Sequence, residues 1–309
     1  MISSFFSKTK PINYVVLSTF LVLFFLLYGI YGPVTSIFGD NYALNFLVLA
    51  ALVIEMLIVN EIIRREKVTG FSSFAMLFFV MFLVVFPESM TDTNVVFCNF
   101  FLLLALWRLL AIKTIKNVKH KIFDASLFIG IASLFVDWSL IFLTLVFLVI
   151  NLYDRATFKN WFIPFVAIIT LGILTITSFH LYDNLIFLKE HYRFQMNFLS
   201  EDFKRFEMIK SIVFVFISLV VMTLVFLKLR QRGSGKLLAL RILFFSFLLA
   251  SVILLVSVKG ERAALLGFFP VSVFITNYLE SFEQNRYKEV AIVILLFLPF
   301  FILGVQLSS

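Results

Sequence analysis

Apolar runs about as long as a bilayer is thick dominate this chain. Eleven of them recur along the 309 residues, near 12–31, 43–63, 71–87, 95–112, 122–136, 138–153, 161–180, 211–228, 237–257, 264–279 and 289–306. A spanning helix needs about 20 mostly apolar residues, because each residue rises about 1.5 Å and the hydrocarbon core is about 30 Å thick. A helix also satisfies its own backbone N–H and C=O groups, which lipid cannot do. The expected fold is therefore all-α: a polytopic transmembrane helical bundle of about 11 spans. Composition points the same way. The chain is 62% hydrophobic and 14% charged, whereas soluble domains are about 45–50% apolar and about a quarter charged. No linker and no internal repeat divides it, so residues 1–309 are read as a single integral membrane domain.

Charge sets the expected orientation. With the N-terminus in the cytoplasm, 18 of the 26 Lys and Arg residues fall on the cytoplasmic side and seven on the other, with Arg108 inside a span. The positive-inside rule then predicts N-in, C-out. The net charge of +8 is read as this topology signal and not as a nucleic-acid footprint. The first run is about 20 residues long with no convincing cleavage site after it, and is read as an uncleaved span. The runs 122–136 and 138–153 are short for a bilayer and meet at Asp137-Trp138. Two short spans or a re-entrant pair both return the chain to the same side.

Several chemistries are excluded. Cys98 is the sole cysteine, so no disulfide framework exists. His120, His180 and His191 are scattered, and no HExxH or Cys/His cluster proposes a metal site. Walker and Rossmann glycine patterns are absent, and no cofactor is expected.

Function in such a chain is sought where polar groups meet the spans. On the outer side the first loop, GPVTSIFGDNY, carries Asp40, a candidate general base or a helix cap. The second, FPESMTDTN, carries Glu88 and Asp92, a carboxylate pair for sugar hydroxyls or a cation, or again caps. Residues 181–210 interleave apolar and charged positions, the pattern of one or two amphipathic helices on the outer leaflet, either simply interfacial or a lid over a lipid-linked substrate. The stretch VSVKGERAALLGFFP carries Lys259, Glu261 and Arg262. Arg makes bidentate bonds to phosphate and Lys adds a point charge, with Glu261 able to orient either. A solvated turn is the plainer alternative. Within the membrane, Glu55 and Arg108 are the ionisable residues, either paired or with Arg108 snorkelling to the surface.

The segment Glu261-Arg262-Ala263, followed by Phe268, Phe269 and Pro270, resembles the late E-R-Y-x-x-x-x-x-P segment of GT-C class glycosyltransferases, which use polyprenyl-phosphate sugars. Ala263 stands where that pattern has tyrosine, and the proline falls one residue later. The run FDASLFIGIASLFVDWSLIFL is similar to their paired short helices, with Gly130 and Ala132 at the small positions. The resemblance implies that Asp40 acts as base or metal ligand and that Lys259 and Arg262 hold a lipid phosphate. The first outer loop is about eleven residues, shorter than is usual in that class, and Asn41 follows Asp40 where a second acid is typical. The chain as a whole also resembles an uncharacterised inner-membrane family of Bacteroidota, through MISSFFSKTKPINYVVL, FKNWFIPFVAIIT and GERAALLGFFPVSVFITNYLE. That likeness implies a multi-pass protein of a bacterial inner membrane, its outer side in the periplasm. Three functions stay open. The first is a GT-C-like protein that binds, and as an enzyme transfers, an undecaprenyl-phosphate-linked sugar. The second is a non-catalytic scaffold or partner subunit of an envelope complex, and the third a lipid-linked glycan flippase or transporter.

Overall fold

The structure, a computed structural model, describes residues 5–31, 42–183, 185–194, 205–229, 234–256, 263–282 and 285–308. The described residues form helices and no strand. In chain order the helices are α1 (Pro11–Tyr31), α2 (Tyr42–Glu66), α3 (Phe74–Val85), α4 (Pro87–Thr91), α5 (Thr93–Leu110), α6 (Val118–Ser133), α7 (Leu143–Tyr153), α8 (Phe158–Leu181), α9 (Leu185–His191), α10 (Arg205–Leu229), α11 (Ser234–Val256), α12 (Phe268–Glu280) and α13 (Asn285–Ser308). Short 3₁₀ turns at Ala111–Thr114, Asp137–Phe142 and Ala263–Gly267 connect or extend them. Among the described residues, seven helical stretches are long and apolar enough to cross a membrane, and Phe74–Val85 and Asp137–Tyr153 are shorter apolar helices. The chain is a multi-pass helical membrane protein.

Helix occupies every one of the eleven apolar runs. The run read as 71–87 departs from a full span. Its regular helix α3 is 12 residues long, or about 18 Å at 1.5 Å per residue, which is short of the hydrocarbon thickness. Pro87 accounts for the break. It has no N–H to donate into the preceding turn and instead opens α4 at its first turn. α3 is central nonetheless. Eleven of its twelve residues are buried, as are eleven of the thirteen in α12, against which it packs. α3 has no polar residue to turn outward, and Ser272, Thr276 and Asn277 of α12 are buried with its apolar positions, as expected of helices enclosed by others. α1, α2, α10, α11 and α13 pack around this pair. α8 lies at the opposite extreme, with 11% of its spanning stretch buried, so almost all of it faces outward.

The bundle has two distinct ends, and α10 measures the distance between them. Lys210 near its start and Lys228 near its finish are 18 residues apart, about 27 Å of helix. At the Lys228 end the chain is clasped by polar contacts. Glu280, which closes α12, accepts hydrogen bonds from the Gly70 N–H and the Ser72 hydroxyl, both at 2.7 Å. Asn277 donates to the Val68 carbonyl at 3.3 Å. Lys113 reaches the Glu66 carboxylate at 2.9 Å, and Lys228 donates to the Ser281 hydroxyl at 3.1 Å. The carboxylate packs so closely on Gly70 that a β-carbon there would lie 2.8 Å from Glu280 Oε1.

The turn between α6 and α7 is compact. α6 stops at Ser133, and the chain passes through Leu134–Val136 into the 3₁₀ turn opened by Asp137. α6 lies against α8 along its length. Gly130 makes this possible, since a β-carbon there would lie 2.5 Å from Leu171 Cδ2. Small residues permit such close approach between helices in a membrane.

Candidate functional site

At the opposite end from Glu280, one charged pair is enclosed. The Lys210 ammonium lies 2.5 Å from Glu88 Oε1, and each side chain is 5% exposed. Local structure explains how both arrive there. Glu88 occupies the first turn of α4, where the helix dipole favours a carboxylate. Lys210 is on the second turn of α10, which begins at Arg205. The expected span began at 211; in the structure residues 205–210, with Arg205, Glu207 and Lys210 among them, belong to the same helix. The ammonium also sits 4.7 Å from the centroid of the Phe86 ring and 6.0 Å from that of Phe206. Aromatic faces attract a cation most strongly when water is excluded.

Beneath the pair lies a cluster of phenylalanine rings. Phe86 and Phe214 are 5.2 Å apart, Phe82 and Phe214 5.4 Å, and Phe86 and Phe268 5.6 Å, centroid to centroid. Phe247 joins at 6.3 Å from Phe214. Composition alone gave these rings no role beyond an apolar habit. Their edge-on and tilted contacts form a dry floor for the ion pair. The same floor brings in the C-terminal part of the chain. The 3₁₀ turn Ala263–Gly267, which follows Arg262 directly in sequence, is buried throughout and packs against α4.

Asp92, the second carboxylate of that loop, caps α5. Its Oδ1 accepts from the backbone N–H groups of Asn94 at 3.1 Å and Val95 at 3.3 Å. These are N–H groups that the first turn of a helix leaves without intrahelical partners. Thr91 donates its hydroxyl to the Glu88 carbonyl at 2.9 Å. Asp40, Lys259, Glu261 and Arg262 lie outside the described residues.

Glu55 and Arg108 do not pair with each other. Glu55 is fully buried on α2 and accepts a hydrogen bond from Asn99 of α5 at 3.0 Å. Arg108 turns to the surface and meets Asp124 at 3.3 Å, with the two side chains 50% and 37% exposed. The reason is geometric. Glu55 and Arg108 occupy different levels of the bundle, and Arg108 sits in the last turn of α5, near water. Asn99 was not singled out by sequence reasoning, because one asparagine within an apolar run is a faint signal.

The amphipathic segment 181–210 contributes α9, a seven-residue helix, and the residues just after it. Their attachment point is the end of α6. His191 Nε2 is 2.8 Å from the Ser133 carbonyl, and the Tyr192 hydroxyl is 3.0 Å from that of Ser133. Burial raises the Tyr192 phenol above its ordinary value; the Ser133 hydrogen bond opposes that shift and the Asp137 carboxylate adds to it.

Among the described residues, no group of three or more His, Cys, Asp or Glu side chains is placed to hold a metal ion. No protein-family model matches the chain, and neither curated proteins nor solved structures give a significant match to it.

Proposed function

We propose that this membrane protein holds the phosphate of a polyprenyl-linked sugar at the end of the bundle marked by Lys210 and Glu88, in the manner of a GT-C-like protein of a bacterial inner membrane. In this reading that end faces the periplasm and the N-terminus is cytoplasmic. The observation that carries the reading is the enclosed Lys210–Glu88 pair. Ionisable groups at membrane depth are costly and tend to mark sites, and a buried pair is a poor device for stability alone. In this reading Lys259 and Arg262, which precede in sequence the 3₁₀ turn that packs on the Glu88 helix, supply the cations of the same site. Arg262 and Lys259 then bind the donor phosphate, Glu261 orients Arg262, and Lys210 and Glu88 form a fixed, desolvated dipole beneath. Held positions and fixed charges of this kind act on transfer without reorganising.

Transfer requires a base. In this reading Asp40 takes the proton of an acceptor hydroxyl, the new glycosidic bond forms at the sugar's anomeric carbon, and the lipid phosphate leaves with its oxygen. The test is transfer of labelled sugar from a polyprenyl-phosphate donor in membranes. Asp40→Asn and Arg262→Ala should each abolish it while the purified variants stay folded. Normal transfer in both variants overturns the enzymatic reading.

A second reading, a non-catalytic scaffold of an envelope complex, is favoured by the engagement of Asp92 as a cap and Glu88 in an ion pair. That leaves Asp40 alone of the three candidate carboxylates for catalysis. Under this reading Asp40→Asn is silent and affinity purification returns a stoichiometric partner.

A further inference from the structure

Between α6 and α8, beneath α9, lies a groove of about 480 Å³. Its walls are apolar side chains such as Leu134, Leu140, Ile168 and Leu188, and none of the described residues lining it is charged. It opens onto the flank of α8, whose Ile169, Ile173, Leu174 and Ile176 are all more than half exposed. In a spanning helix such a face meets hydrocarbon, so the groove is continuous with the lipid phase and not with water.

The groove has one polar corner. The Ser133 and Tyr192 hydroxyls meet there at 3.0 Å, fixed by the Ser133 bond to the Gly130 carbonyl at 2.6 Å and by His191 on the Ser133 carbonyl. Rings gather around it: Trp138 and Phe194 are 5.7 Å apart, and Phe187 stacks on His191 at 5.2 Å. Clustered aromatics with polar tips are characteristic of the depth where hydrocarbon gives way to headgroups. In bilayer glycerolipids that depth holds the uncharged ester carbonyls, which a hydroxyl can address as donor. A phosphate directly on the chain, as in a polyprenyl phosphate, calls for cations, and none of the described residues lining the groove is charged.

We propose that the α6–α8 groove is a binding site for one acyl chain of a bilayer glycerolipid, its ester carbonyl accepting a hydrogen bond from the Tyr192 hydroxyl, which turns from Ser133 to the lipid while Ser133 stays on the Gly130 carbonyl. The bound chain completes the contact surface between α6 and α8 and seats α9 over it. The proposal is independent of the reading of the Lys210 end, since it concerns another site and another ligand.

Gly172 supplies the test. It lines the groove, and a β-carbon added there meets nothing within 4 Å. Gly172→Phe and Gly172→Leu therefore start from an unobstructed β-carbon and place their side chains in the groove. The full chain, purified in mild detergent, is offered ester-linked phosphatidylethanolamine, its ether-linked analogue, or a polyprenyl phosphate, and retained lipid is read by native mass spectrometry. The natural chain should retain one ester-linked lipid. Gly172→Phe should weaken retention about tenfold or more, the 1.4 kcal/mol equivalent of one lost anchor, with unchanged helix content by circular dichroism. Tyr192→Phe, which removes the donor, should narrow the preference for ester over ether linkage, and Ser133→Ala, which leaves that donor in place, should not. Undiminished retention in both Gly172 variants, or preferential retention of the polyprenyl phosphate, overturns the proposal.

Discussion

Lys210 and Glu88, 122 positions apart in the chain, form an ion pair of 2.5 Å within a bundle of apolar helices. Removing one partner leaves the other charge enclosed. Glu88→Leu or Lys210→Met alone should therefore cost about 3–5 kcal/mol, while the double substitution should recover most of that loss. A double-mutant cycle by thermal unfolding in detergent measures the coupling. Additive single effects would show that the two charges do not interact. If the pair also serves a ligand, the double variant stays folded and loses the transfer described above.

Asp92 and Glu88 share a loop but differ in role, and substitution separates them. Asp92→Ala removes an N-cap and should cost about 1 kcal/mol. Asp92→Asn should be close to neutral, because an asparagine side chain caps as well. Neither change should alter sugar transfer. Loss of transfer in a stable Asp92→Asn protein would move Asp92 from the cap into the chemistry.

The Glu280 clasp is a third place for a quantitative expectation. Glu280→Ala strips acceptors from the Gly70 N–H and the Ser72 hydroxyl, a loss of about 1–3 kcal/mol if both remain dry. Gly70→Ala acts on the same contact from the other side, since its new β-carbon would lie 2.8 Å from Glu280 Oε1. Both variants should lower the melting temperature, and their combination should be less than additive. Strict additivity would mean that the glycine is not reporting on Glu280.

Tyr192 gives a pH expectation. Its folded phenol ionises above the ordinary value of about 10, so the neutral form is favoured by folding. Its contribution is complete below the unfolded value and is lost as pH rises through the folded one. An ultraviolet difference titration, with Tyr192→Phe subtracted, should show one late-ionising tyrosine. Ser133→Ala removes a bond that opposes this shift and should move the titration later still.

Within the membrane, the Asn99→Leu variant should be less stable than Glu55→Leu with Asn99→Leu. The single change deprives a fully buried carboxyl of its described partner, whereas the double change removes both polar groups. Melting temperatures of the two proteins in detergent decide it.

The runs of apolar residues were enough to locate the helices, because lipid permits little else and length is set by the bilayer. Boundaries were harder. α10 begins at Arg205 and not at 211, since a lysine that finds Glu88 can be carried within a helix that periodicity alone would begin later. Glu88 was visible as a loop carboxylate, but Lys210 looked like any flanking cation. Its partner is 122 residues away, and no local pattern encodes such a pairing. Asn99 was hidden for the same reason. The phenylalanines at 82, 86, 214, 247 and 268 were legible as apolar, though nothing in their spacing announced that they would share one cluster.

The centre of the bundle has a consequence for how the protein is made. α3 finds its principal wall in α12, nearly two hundred residues later in the chain. A ribosome adding about 5–20 residues per second needs roughly ten to forty seconds to cover that interval. Through all of it the short, uniformly apolar α3 must be held by its neighbours or by the insertion machinery. Biogenesis of this protein is thus a matter of waiting, and a nascent chain stopped before residue 268 should be a substrate for quality-control proteases.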